Sequence, residues 1–183
     1  MTPAGYLLVL LGILALWLLL LYNGLVKWRN IVAGAWAQID VQLKRRYELI
    51  PNLVETVRGY ARHERDLFEQ IARIRAAALT AGSPRDVASA DTQLAPAMRS
   101  LFAVAEAYPA LKADQHFRSL MEELTATENK VAFARQYYND SVRVYNTKTE
   151  QFPSAVLAAR FGFRPAEYLE IDAVQREVQQ VTF

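Results

Sequence analysis

The sequence predicts an all-α protein: an N-terminal transmembrane helix, then a long antiparallel three- to four-helix bundle with a short C-terminal helix or extended tail. Three observations carry this. Ala4 to Tyr22 is a run of nineteen residues without charge or amide. From Trp36 onward, apolar residues recur every seven positions in two columns. Phe117, Leu124, Val131, Tyr138, Tyr145 and Phe152 form a further column of large residues at the same spacing. That beat belongs to helices packed on helices, not to strands, whose period is two.

The first run, in a helix, spans roughly 28 Å at about 1.5 Å per residue, close to the ~30 Å hydrocarbon core of a bilayer. Only a helix crosses there without stranding backbone polar groups. Tyr6, Tyr22 and Trp28 suit the two interfaces, with Lys27 and Arg29 closing the run; Trp17 lies too deep for that role. A cleaved signal is the competing reading, but Met1-Thr2-Pro3 lacks the basic leader such signals carry, so a retained anchor is expected. Lys27, Arg29 and then Lys44, Arg45 and Arg46 follow the run, which places the bundle in the cytoplasm and the N-terminus outside an inner membrane.

The chain has 183 residues, a formal charge of +2 and no cysteine, so disulfides, thiolate metal sites and a lipoprotein anchor are excluded. The expected organisation is an anchor over residues 1–28, a bundle over 29–160 with helices at about 30–80, 92–107 and 114–152, and a tail over 161–183. The balanced charge argues against nucleic acid as a partner. Between Lys27 and Arg65, however, bases outnumber acids, which suits either anionic headgroups or a solvated basic face.

The first bundle helix carries columns Trp36, Leu43, Ile50, Val57, Glu64, Ile71 and Ile39, Arg46, Leu53, Tyr60, Leu67, Ile74. Pro51 removes the hydrogen bond to the Tyr47 carbonyl and is expected to kink the rod without ending it, since the heptad phase continues. Arg46 and Glu64 stand in core columns, either snorkelling at an edge or paired across the bundle. Glu128 and Arg135 flank the core of the last long helix. We expect Arg46, Glu64, Glu128 and Arg135 to form ion pairs that set helix register.

Ala81-Gly82-Ser83-Pro84 closes the first helix, with Ser placed to cap and Pro to open the next. Residues 83–90 are small and polar and read as partly loose, so the second helix is expected from about Thr92, with Pro96 in its first turn. Tyr108-Pro109 ends it. Tyr138-Asn139 and Tyr145-Asn146 repeat one heptad apart, putting two asparagines beside the core, where bonding to the helix that begins near Asn30 or facing solvent are both open. The aromatics of Arg160-Phe161-Gly162-Phe163 are expected to dock, and the end of the tail reads as either frayed helix or extended chain.

Chemistry is scarce. His63-Glu64-Arg65-Asp66-Leu67 begins like a zinc-protease motif but lacks its second histidine, and neither His63 nor His116 has a glutamate three residues before it, as a di-iron bundle needs. With no phosphate loop and no nucleophile–base pair, no catalytic residue, metal ligand or cofactor is expected, and the protein reads as a non-enzyme.

The segments Tyr22-Asn23-Gly24-Leu25-Val26-Lys27-Trp28-Arg29-Asn30, Ala35-Trp36-Ala37-Gln38-Ile39-Asp40 and Leu49-Ile50-Pro51-Asn52-Leu53-Val54 resemble the LemA family. Tyr108-Pro109, Thr127-Glu128-Asn129, Ala134-Arg135, Tyr138-Asn139, Tyr145-Asn146, Phe152-Pro153 and Phe161-Gly162-Phe163 extend the resemblance over nearly the whole chain. It implies a single N-terminal membrane helix and a long helical bundle, and brings no catalytic residues with it. The expected function is a membrane-anchored scaffold that self-associates as a homo-oligomer and organises or remodels the lipid bilayer. The alternative is an adaptor that recruits a protease or signalling partner.

Overall fold

A computed structural model describes residues 2–169. Among these, the chain forms α1 Pro3–Arg58, α2 Arg65–Leu79, α3 Pro84–Glu106, α4 Pro109–Ala113, α5 Gln115–Glu150 and α6 Ser154–Phe161, with no strand. The tail beyond Leu169 lies outside the described residues. The chain divides into two compact units, one of residues 2–38 with Gln136–Tyr168, the other centred on Ile39–Arg135.

In the first unit, every large apolar side chain of α1 from Tyr6 to Leu20 is exposed. Protein cover begins at Leu21 and Tyr22, and by Leu25 the side chain is 1% exposed. α5 runs antiparallel to α1 here. Trp36 packs on Tyr138 with ring centroids 5.4 Å apart, and the later Tyr145 feels the charge of the earlier Arg29. α6 then turns back on Gly162, whose φ of +72° favours glycine. The Phe163 N–H donates to the Ala158 carbonyl at 3.0 Å, which carries Phe163 inward.

In the second unit, the helix expected over 30–80 is interrupted. α1 ends at Arg58, residues 59–64 turn, and α2 runs back along α1, with Arg58 over the ring of Phe68 at 5.4 Å and Arg75 reaching Tyr47. The turn keeps the heptad phase, so periodicity alone does not reveal it. Its signature lies in the columns themselves: Tyr60 is 41% exposed and Glu64 is exposed, while Ala61, Phe68 and Ile71 are buried. Gly59, a poor helix former, stands at the break.

Pro51 lies inside α1 and cannot donate to the Tyr47 carbonyl. Arg75 supplies the missing donor, its Nε lying 2.6 Å from that oxygen. We predict that Arg75→Met costs about 1–2 kcal/mol, the cost of an unsatisfied, part-buried carbonyl, in urea unfolding of the full chain in detergent. Adding Pro51→Ala returns an N–H to the same carbonyl and should recover most of the loss.

α3 starts at Pro84, not near Thr92. Ser83 Oγ accepts from the Asp86 N–H at 3.1 Å and donates to Asp86 Oδ2 at 2.6 Å, closing a cap ahead of the proline. The supposedly loose stretch buries Val87 and Ala90 in line with Leu94, Met98 and Leu101, and α3 packs on α2. Pro96 therefore falls in the helix interior. Asp114 Oδ1 accepts from the Phe117 N–H at 2.9 Å and starts α5.

Candidate functional site

Two polar clusters are built into the helices, one in each unit. The first gathers Arg46 of α1, Asp91 of α3, and Glu128 and Arg135 of α5. Arg46 Nη1 lies 2.6 Å from Asp91 Oδ1, and Arg46 Nε lies 2.7 Å from Glu128 Oε1 as an ionic contact rather than an aligned hydrogen bond. Arg135 Nη2 pairs with the other oxygen of Asp91. Two cations thus meet two carboxylates, with Asp91 as the bridge. Arg46 is 7% exposed as a residue, so the cluster is held largely away from water.

Its neighbourhood is polar but incompletely satisfied. The Tyr47 hydroxyl, Gln42 Oε1 and Arg135 Nε are buried without a hydrogen-bond partner among the described residues. Burial pushes the Tyr47 phenol above its ordinary range, against the opposing pull of Arg46 and Arg135. Burial, then the nearby Arg46 cation, holds Arg135 below its ordinary value. Outside this cluster, Arg45 reaches Glu123 at 2.8 Å on the exposed surface.

Three of the four residues expected to pair, Arg46, Glu128 and Arg135, come together. Glu64 does not: it precedes α2 at the exposed turn, because α1 stops before reaching it. Asp91 takes the place of the missing acid; the sequence reading leaves it between the loose stretch 83–90 and a helix expected from about Thr92, and so gives it no role. The available signal was its spacing. Asp91 falls four residues after Val87 and three before Leu94, beside the apolar face of α3.

The second cluster lies in the first unit and fastens the segment after α6. Asn146 Nδ2 donates to the Ala166 carbonyl at 2.9 Å, and the Ala166 N–H donates to Asn146 Oδ1 at 2.8 Å. The Tyr138 hydroxyl donates to the Glu167 carbonyl at 2.8 Å. The partner of Asn146 is therefore the backbone after α6, neither solvent nor the helix near Asn30. Tyr138 and Tyr145 both have their phenols pushed up by burial.

Among the expected interface residues, Tyr6 and Lys27 are exposed and Trp28 is partly covered. Tyr22 is packed edge-on against Phe161 and Phe163, at 5.1 and 5.6 Å between centroids, and the Arg29 guanidinium sits 5.1 Å over Phe163. No group of three or more His, Asp or Glu able to hold a metal occurs among the described residues. His63 and His116 are both exposed.

An exposed apolar N-terminal helix, long enough to cross a membrane, joined to bundled helices whose polar clusters tie helix to helix, defines a membrane-associated helical protein. The chain belongs to the LemA family, whose model matches residues 35–183. It is similar to magnetosome proteins MamQ 1 and MamQ 2 of Paramagnetospirillum magneticum, each 26% identical over 179 residues and covering 84% of this chain. It is also similar to magnetosome protein MamQ of Magnetospirillum gryphiswaldense, at 25% over 177 residues and 82% of this chain. The chain spans 65–66% of the length of these relatives.

Proposed function

We propose that the protein is a membrane-anchored helical scaffold that self-associates and organises or remodels the bilayer, with its bundle on the cytoplasmic side of an inner membrane. The observation that carries this reading is the junction in α1: one continuous helix passes from wholly exposed apolar side chains before Leu20 to a fully covered Leu25. Helix propensity alone does not require such a junction, but a bilayer edge does. The basic residues Lys27 and Arg29 directly after it support the orientation. The relatives are named as magnetosome proteins, and for this chain the corresponding reading is a structural role at a membrane.

The test is the oligomeric state of the full chain in nanodiscs and in detergent. A defined homo-oligomer is expected. A monomer at every concentration sinks the scaffold, and a stable hetero-complex from mild detergent, with monomer alone, turns the reading to an adaptor.

A further inference from the structure

We propose that the turn at Phe152 and helix α6 form a second membrane contact, seated in the headgroup region of the bilayer that α1 crosses. This rests on the membrane-spanning reading of α1 and adds to it a surface contributed by the other end of the chain.

The placement follows from the packing of the first unit. Trp36 meets Tyr138, and seven residues further along α5 Tyr145 stands near Arg29. Continuing along α5, its last residue Glu150 lies about 8 Å nearer the apolar run than Tyr145, and the turn at Phe152 follows there. The contact of Phe161 with Tyr22 at 5.1 Å independently puts the end of α6 at that level. The end of the bundle is therefore flush with the point where protein cover of α1 stops.

That end is apolar and exposed. Phe152 is 80% exposed, Val156 62% and Phe161, at the end of α6, 58%, while Ala158, across the helix from Val156, is buried. Leaving such side chains in water sacrifices hydrophobic stabilisation that a lipid surface would return. The charge around them fits headgroups: Lys148 and Arg160 stand in the last turns of α5 and α6, against Glu150. Aromatic side chains flanked by Arg and Lys at a membrane boundary match the interfacial mode, in which rings enter the acyl edge and cations reach phosphates. A second protein copy would also cover an apolar face, but continuity with the exposed run of α1 places this one against lipid.

The absence of native cysteine permits a direct test on the full chain. Nitroxide labels are placed singly at Phe152→Cys, Val156→Cys and Phe161→Cys, with Leu14→Cys as the bilayer reference. Asp140→Cys, about 15 Å back along α5 from its end at Glu150, is the water reference. The protein is reconstituted in phosphatidylcholine vesicles with a fraction of phosphatidylglycerol. Relaxation by oxygen, which concentrates in lipid, is compared with relaxation by a water-soluble nickel chelate. At least two of the three test labels are expected to show an oxygen-to-nickel ratio several-fold above that at Asp140, below that at Leu14. Two or more reading like Asp140, or shielded from both reagents as under another chain, overturn the second contact while a lipid-exposed Leu14 keeps the anchor. A water-exposed Leu14 overturns both.

Discussion

Asp91→Ala should remove about 3–5 kcal/mol from the stability of the bundle, the cost of leaving buried charge without its partner. One carboxylate serves two guanidiniums here, and the Arg46, Asp91 and Arg135 side chains are 9%, 16% and 19% exposed. With the acid gone, Arg46 keeps Glu128, but Arg135 loses its carboxylate and faces Arg46 in a poorly hydrated site. Arg46→Leu should behave differently. It leaves Asp91 paired with Arg135 and returns Glu128, whose side chain is already 42% exposed, to water, so the variant is expected to lose stability, by no more than about 1 kcal/mol. Urea unfolding of the full chain in detergent, followed by circular dichroism, separates the two. If Asp91→Ala melts with the wild type, the arginines are reaching solvent and the cluster does no structural work. A correctly assembled Arg46→Leu at least as stable as the wild type would count against a register role for Arg46.

The second large effect is expected at Asn146. Asn146→Leu deletes a reciprocal pair of hydrogen bonds to the backbone of one residue, each worth about 1 kcal/mol net, and strands the Ala166 N–H and carbonyl at a further cost, about 2–3 kcal/mol together. Asn146→Asp keeps the acceptor for the Ala166 N–H but sets a buried carboxylate against the Ala166 carbonyl oxygen, and should cost at least as much. Hydrogen exchange gives the sharper reading. The Ala166 amide should lose its protection in Asn146→Leu and retain it in Asn146→Asp. Unchanged protection in Asn146→Leu would mean that Phe163 and the Tyr138 hydroxyl hold the segment without help.

Much of this architecture was legible. The exposed apolar start of α1, the α5 column from Phe117 to Tyr145, the Ser83-Pro84 cap and the stop at Tyr108-Pro109 all follow from local chemistry, because a side chain's burial pattern and a backbone cap are written within a few residues. The break at 59–64 was not, because a turn that preserves heptad phase leaves the columns looking continuous. Glu64 was misread for that reason, and its exposure is the trace of the turn. Asp91 was missed because a polar residue flanking a short helix has no meaning until its partners are placed.

The helical character of the chain, the apolar leader and the need for a donor at the Tyr47 carbonyl were determined by residue type and spacing alone. Which side chain meets that need, which acid bridges Arg46 and Arg135, and what Asn146 grips were decided only by tertiary structure. Arg75, Asp91 and Ala166 lie 28, 45 and 20 residues from the groups they serve. Helical periodicity specifies which face a residue occupies but carries no record of which distant residue lies opposite, and that is settled only when the chain turns back and packs.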